Sequence, residues 1–318
     1  MSEPIVSKVA PKPQKVTFFG RARTPDEKID WVGGLPFIAV HLAALMVFWA
    51  GFSWTALFAC LFFYAVRMFG ITGGYHRYFS HRSYKTGRVF QFILACLGAS
   101  SAQLGPLWWA AHHRHHHRHS DTDEDIHSPG LRGLWWAHVG WVLCKKYNTT
   151  RLDDIKDFAK FPELRLLDRY SVLAPIGLAV FTFFLGAFLE LKFPQLGVTA
   201  FQMLVWGFFV STVCLYHGTF SINSLAHIIG KRRFQTTDHS KNHFLLAIVT
   251  LGEGWHNNHH RYPSSERQGM YWWEIDISHY ILRTLSFFGI VWDIRTQPER
   301  LYQEVNGTVI PESDSESM

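Results

Sequence analysis

Six of the eleven residues from Ala111 to Asp121 are histidine: His112, His113, His115, His116, His117 and His119. Positions i, i+3 and i+4 of a helix share a face, so His113, His116 and His117 would present three imidazoles together. The same HxxHH spacing returns far along the chain at His256, His259 and His260, and YHRYFSHR adds a HxxxxH pair, His76 and His81. One histidine-rich run alone would read as a solvated polar stretch. Three spaced clusters in one chain read as a metal site, because neutral imidazole is the commonest metal ligand among side chains. His76 and His81 are five apart, about 140° around a regular helix, so they cannot share a regular helical face. His76 is therefore expected to end one helix and His81 to begin the next segment. Asn223 and His227 are i and i+4, so they face the same way and can both point at metal.

The well-placed set is His76, His81, His113, His116, His117, His227, His256, His259 and His260. A structural zinc takes four ligands and a catalytic one about three, so this set suggests two ions. Imidazole suits Zn, Cu, Fe and Ni alike, so the residues alone do not name the metal. Glu253, Asp121 and Asp123 are candidates to accept hydrogen bonds from ligand imidazoles. His112, His115 and His119 fall off the helical face, and His127, His138, His239, His243 and His279 lack cluster spacing. These are expected at the surface or behind the ligands.

Something must bring these distant stretches together. The chain has 318 residues, 48% hydrophobic and 16% aromatic, with a formal charge of +6 and a mean hydropathy of zero. That mixture suits a membrane protein with a large polar half. The modest positive charge fits an anionic lipid face or substrate headgroup, and no arginine-rich tract or nucleic-acid motif is present. Cys60, Cys96, Cys144 and Cys214 lack CxxC spacing and read as small buried hydrophobes in a reducing compartment. Residues 1–33 form a polar N-terminal segment without a cleavable signal, expected to be mobile, its last part resting on the membrane surface. Apolar stretches at about 35–52, 54–72, 171–191 and 198–221 are long enough to span, and they pair as two hairpins. His41 within the first should face the bundle and find a hydrogen bond, as should His217 in the fourth, whereas Arg67 either snorkels or lines a cavity.

A further apolar stretch, Val89–Ala111, lies between two histidine clusters and is interrupted by ASSAQ at 99–103. Clusters sharing one site require an even number of crossings between them, so this stretch is expected to lie in or dip into the interface. Leu131–Leu143 is too short to span and belongs in a cap. The pairs Trp108-Trp109, Trp135-Trp136 and Trp272-Trp273 are expected as interfacial anchors. Lys and Arg concentrate outside the hairpin tips, which places both termini and the histidines in the cytoplasm. The expected architecture is an all-α membrane protein, four transmembrane helices in two hairpins beneath a cytosolic helical cap that carries a histidine-ligated di-metal site. The domain occupies 34–295, and 296–318 is a tail with a disordered acidic end. Metals above a membrane-buried bundle imply a lipid-like substrate. No serine-nucleophile elbow or phosphate loop accompanies them, so redox iron with dioxygen leads.

GITGGYHRYFSHRSYKT at 70–86, HHRHHHRHSDTDEDIH at 112–127, AHVGW at 137–141, NSLAH at 223–227 and GEGWHNNHHRYP at 252–263 together resemble the membrane fatty-acyl desaturases of the stearoyl-CoA (delta-9) type. The resemblance implies a di-iron centre held by the nine histidines, with Asn223 reaching a metal through water, and dioxygen as co-substrate. It implies a cis double bond introduced into a fatty acyl-CoA or acyl-lipid. HNNHH departs from animal members, which carry an aromatic before the paired histidines, and is nearer bacterial ones. A bacterial inner membrane is thus expected before the endoplasmic reticulum. No HPGG haem motif is appended, so electrons are expected from a separate ferredoxin or cytochrome b5-type donor. Similar clusters also serve membrane hydroxylases and alkane monooxygenases, and a non-enzymatic metal carrier is the remoter alternative.

Overall fold

A computed structural model describes residues 16–20 and 24–305. Among the described residues the structure is helical apart from one short antiparallel ribbon, β1 (Lys85–Thr86) on β2 (Val291–Trp292), with Lys85 opposite Trp292. The first apolar helix, α1 (Leu35–Ala50), takes Pro36 in its first turn, where a missing N–H is harmless. It loosens at Leu45–Met46 and stops at Gly51, whose φ of 72° suits glycine alone. Ser53 caps α2 (Trp54–Ser80), its hydroxyl accepting from Ala56 N at 3.1 Å. Then come α3 (Arg88–Ala99) and α4 (Pro106–His119). The second hairpin is α5 (Leu173–Lys192) and α6 (Ala200–His227), with Thr199 capping α6 by accepting from Gln202 N. Short helices finish the chain: α7 (Phe244–Val249), α8 (His256–Arg261), α9 (Ile277–Phe287) and α10 (Glu299–Val305).

Three helices, α2, α5 and α6, are long and apolar enough to cross a membrane; α1 is a shorter apolar helix. Phe48 and Trp49 on α1, and Phe184 and Leu191 on α5, point outward. Such a surface suits lipid better than water. Hydropathy ends the second and fourth segments at 72 and 221, but the helices run on to Ser80 and His227. Their last turns leave the apolar zone yet stay helical because they pack against the histidine-bearing helices.

Arg67 neither snorkels nor faces open space. It is buried in α2 and donates to Ser211 Oγ at 2.6 Å and Thr212 Oγ1 at 2.7 Å on α6, locking the two long helices together. The interrupted stretch 89–111 is two helices, α3 and α4, with Ala102 and Leu104 at positive φ between them. Residues 131–143 contribute short helical turns, Pro129–Arg132 and Trp136–Gly140.

Several expectations are corrected. Trp108 and Trp136 are buried, with Trp108 stacked on Trp141 at 5.8 Å, so these indoles pack a core; the exposed Trp272 and Trp273 alone keep the position of anchors. The N-terminal segment is tied down before α1: buried Glu27 accepts from Arg132 at 2.8 Å and from the Tyr147 hydroxyl at 2.7 Å. The tail begins folded, since α10 buries Leu301 against Phe234 and Met270. The acidic end 311–318 and residues 1–15 lie outside the described residues. No cysteine is paired among the described residues; Cys60 and Cys144 are buried, but Cys214 is exposed.

Candidate metal centre

The last eleven residues of α2, Gly70–Ser80, wind as a π-helix. Its i→i+5 hydrogen bonding changes the expected geometry of HxxxxH. His81 N–H donates to His76 O at 3.1 Å, and the two rings lie 4.8 Å apart, centroid to centroid. The pair that a regular helix would splay is thus brought onto one side. Gly70 and Gly98 let α3 close on this segment: a Cβ on Gly70 would lie 2.6 Å from Leu97 C, and one on Gly98 would lie 2.2 Å from the Tyr75 ring. Arg114 of α4 holds the end of the π-helix, donating to Phe79 O at 2.7 Å and Ser80 O at 2.9 Å while gripping Asp157. That satisfies carbonyls left open at a helix terminus.

The nine histidines meet as two adjoining sets. His76, His81, His113, His117 and His259 form one; His116, His227, His256 and His260 form the other. Within each set one ligand-capable atom per residue lies within 4.8 Å of all the others. The close approaches are between ring nitrogens: His81 Nε2 to His113 Nε2 at 2.9 Å, His117 Nε2 to His259 Nε2 at 2.9 Å, and His76 Nε2 to His259 Nε2 at 3.1 Å. In the second set His227 Nε2 is 3.1 Å from His256 Nε2. The sets touch where the His117 and His260 rings stack at 4.5 Å.

The two HxxHH boxes divide reciprocally between the sets. In α4 the i,i+4 pair His113 and His117 serves the first set and His116 the second; in α8 His256 and His260 serve the second and His259 the first. Helical winding accounts for this. The first and fifth positions of the box are about 40° apart, while the adjacent fourth and fifth are about 100° apart and so diverge. Asn257 and Asn258, between the histidines of α8, are buried anchors. Asn257 Oδ1 accepts from Arg233 N and Phe234 N, both at 2.7 Å, and Asn258 Oδ1 accepts from Asn242 Nδ2 at 2.7 Å.

Four imidazoles back onto carboxylates. His76 Nδ1 is 2.5 Å from Glu253, His227 Nδ1 is 2.8 Å from Asp121, His116 Nδ1 is 3.1 Å from Asp125, and His260 Nδ1 is 2.8 Å from Asp238. Glu253 and Asp121 have the place read from sequence. Asp125 and Asp238 were missed. Asp125 sits in the acidic run after the middle box, a usable signal; Asp238 lies far from any box. A carboxylate accepting from Nδ1–H fixes the tautomer and leaves the Nε2 lone pair facing the set. Burial alone would raise the pKa of Asp125 and Asp238, but the adjoining imidazoles outweigh it and hold both well below the usual range. Burial, reinforced by neighbouring imidazoles, pushes His113, His117, His256 and His259 well below the ordinary histidine value, so they stand neutral, as ligands must.

These residues fit a bound cation. His260 Nε2 is buried and has no hydrogen-bond partner, and the inward nitrogens crowd one another with lone pairs. A metal ion removes that conflict. Asn223 ends the regular part of α6, half-buried, four residues before His227. His127 is buried against Asp125 with its ring tilted against that of His116 at 4.3 Å, behind the second set; His112 bonds Trp108 O and His115 bonds Glu124 O, both apart from the sets. Trp109 lays its indole over His113 at 5.1 Å, and Gln103 ties it to Thr219 of α6.

The family model described as Fatty acid desaturase matches residues 52–291. An sn-1 stearoyl-lipid 9-desaturase of Anabaena variabilis is 34% identical over 280 residues, covering 86% of this chain and 97% of that protein. The Delta-9 acyl-lipid desaturase 2 of Arabidopsis thaliana is 35% identical over 86% of this chain and 85% of its own. An acyl-CoA C20 Delta5-desaturase of Anemone leveillei is 32% identical over 92% of this chain and 88% of its own. The chain belongs to the fatty acid desaturase family. It is accordingly a membrane-associated oxidoreductase acting on fatty acids, in a family whose chemistry uses iron and dioxygen.

Proposed function

We propose that this chain inserts a cis double bond at the delta-9 position of a saturated acyl chain, using dioxygen and two electrons from a separate ferredoxin or cytochrome b5-type donor. The acyl group rides on CoA or a lipid. The observation that carries the reading is the division of nine histidines, drawn from distant boxes, into two touching sets of five and four. One iron would be held by His76, His81, His113, His117 and His259. The other would be held by His116, His227, His256 and His260, with Asn223 reaching it through water. The names of the Anabaena and Arabidopsis relatives support the delta-9 position. The outward apolar faces of α1, α2, α5 and α6 support four spans, with α1 as the fourth. The helices bearing the histidines would then form the cap, and the concentration of Lys and Arg outside the hairpin tips supports a cytoplasmic cap and termini.

Iron bound here supplies the reduction of dioxygen and the removal of hydrogen from unactivated methylenes. The chain supplies position. The carboxylates behind His76, His116, His227 and His260 fix ring orientation. Arg77, buried in α2, donates to Glu253 at 3.1 Å and Asp276 at 2.9 Å, so Glu253 cannot swing from His76. The Trp109 indole, fixed through Gln103 and Thr219, offers an apolar wall beside His113 against which an acyl chain can lie.

Expression in a host without its own desaturase, followed by fatty-acid profiling by mass, tests the reading. Loss of two hydrogens from the saturated chain is expected. Gain of one oxygen would make the chain a hydroxylase. His116→Ala and His260→Ala should each abolish unsaturated product while the protein still inserts, and full activity in either variant rejects the assignment.

A further inference from the structure

The helix Pro162–Arg169 contributes to neither metal set and has two opposed faces. Inward, it buries Leu164 and turns Asp168 to the start of α4. Asp168 Oδ1 accepts from Leu107 N at 3.0 Å and Trp108 N at 2.9 Å, and Oδ2 accepts from Thr150 Oγ1 at 2.7 Å. Those two N–H groups lie in the first turn of α4, the helix that carries the middle histidine box, and first-turn donors have no partner within their own helix. Gly105 permits the contact, since a Cβ there would lie 2.2 Å from Asp168 Oδ1. At its own start the helix is tied to α3: Glu163 accepts from Arg88 at 2.7 and 2.8 Å.

The outward face is different in kind. Arg165 and Arg169 are i and i+4, so they share a side, with Leu166 beside them and Lys160 just before the helix; all four are exposed, Leu166 by 61%. The two acids of the segment are engaged elsewhere, Glu163 with Arg88 and Asp168 with α4. Among the described residues none of the three cations forms an ion pair. Lys160 lies over the Phe161 ring at 5.3 Å and Arg169 over the Tyr170 ring at 5.5 Å, contacts that leave their charges uncompensated.

Place in the fold says what covers this face. α5, long and apolar enough to cross a membrane, begins at Leu173 directly after this helix, and Tyr170 and Val172 between them are exposed. Val89, Phe92 and Ile93 of the tethered α3 are exposed as well. Free cations interleaved with exposed apolar side chains at the mouth of a span match the boundary of a bilayer, where acyl chains take the apolar groups and phosphates take the charges. We infer that Lys160, Arg165 and Arg169 form a binding surface for anionic phospholipid headgroups, which seats the helix Pro162–Arg169 on the membrane and, through Asp168, steadies the start of α4. A free phosphate would use the cations alone and leave Leu166, Tyr170 and Val172 in water. The surface requires α5 to enter a bilayer and is independent of the reaction proposed above.

The test uses full-length, iron-loaded protein in vesicles of phosphatidylcholine alone or of equal parts phosphatidylcholine and phosphatidylglycerol. Two quantities are read: the thermal midpoint, and the phosphatidylglycerol that stays with the protein on detergent extraction. The wild-type chain is expected to keep phosphatidylglycerol and to have the higher midpoint in the mixed vesicles. The triple variant Lys160→Gln, Arg165→Gln, Arg169→Gln should lose both effects, binding phosphatidylglycerol about 100-fold more weakly, roughly 5-fold per cation. Arg165→Lys should keep both, because charge is what the headgroup reads. Asp168→Asn should keep the lipid with a smaller gain in midpoint; an undiminished gain overturns the link to α4. Equal retention by the wild type and the triple variant overturns the surface, as does an equal loss when the exposed Lys231, Arg295 and Arg300 are changed to Gln instead. A midpoint raised as far by inorganic phosphate in detergent as by phosphatidylglycerol in vesicles would overturn the lipid assignment in favour of free phosphate.

Discussion

Asp238 touches no candidate metal position, yet His260 depends on it. Its carboxylate takes the Nδ1 hydrogen of His260 and also accepts from Ser240 N at 2.9 Å, so it is held in place from two sides. An asparagine there can present its NH2 group to Nδ1, which would move the imidazole hydrogen to Nε2 and cancel the lone pair the second set needs. Asp238→Asn is therefore expected to weaken iron binding by about 10- to 100-fold, the usual cost of losing such a partner. Titration of chelator-stripped protein with ferrous iron reads this directly. Near-native affinity in Asp238→Asn would mean that His260 is oriented by packing alone. The reach of such partners explains why Asp238 is not legible in the residue order. Glu253 and Asp121 neighbour a histidine box, whereas Asp238 stands 22 residues before His260 and meets it only through the fold.

At the scale of elements, the π-helical segment is the device that places His76 and His81 together, and it needs α3 pressed against it. Gly70→Ala puts a methyl 2.6 Å from the backbone of Leu97, a clash no rotamer relieves. Overpacking of this kind costs about 1–3 kcal/mol. Thermal unfolding in detergent should fall accordingly, with iron lost from the first set before the second. A Gly70→Ala protein with native stability and full iron would show that α3 can yield. The HxxHH boxes are legible because regular helices obey the spacing that sequence patterns assume, although their split between sets depends on two helices meeting face to face. HxxxxH misleads because its spacing is judged at 3.6 residues per turn, and nothing in the composition of Gly70–Ser80 announces a wider winding. The four apolar segments can be found from hydropathy, but the ends of α2 and α6 cannot, since hydropathy marks where lipid stops rather than where the helix stops. The indoles of Trp108 and Trp136 mislead for a related reason: a tryptophan pair near an apolar boundary looks the same whether it anchors a helix or fills a core.

Over the whole molecule, the candidate metal centre joins residues on or beside α2, α4, α6 and α8, so its ionisation should bear on stability. The folded pKa values of His113, His117, His256 and His259 lie below the free value of about 6.5. Above that value folded and unfolded chains both carry neutral rings, and these groups add no pH dependence. Below it the unfolded chain takes up protons that the folded, metal-free chain refuses, so stability falls with falling pH. The carboxylates Asp125 and Asp238 have the same sign in a lower window. Their folded pKa values are depressed, so their contribution is present above the ordinary carboxylate value of about 4 and is lost as pH falls further. The histidine effect is thus isolated between about pH 6.5 and 4.5. Chelator-stripped protein in detergent is expected to show a thermal midpoint that falls steadily as pH drops below about 6.5. Iron-loaded protein should fall more steeply there, because protons then compete with metal for the same nitrogens. A midpoint that rises on acidification from 7 to 5 in the stripped protein would mean that the rings are paired as cations in the folded state, and the neutral ligand cage inferred from their burial would not stand.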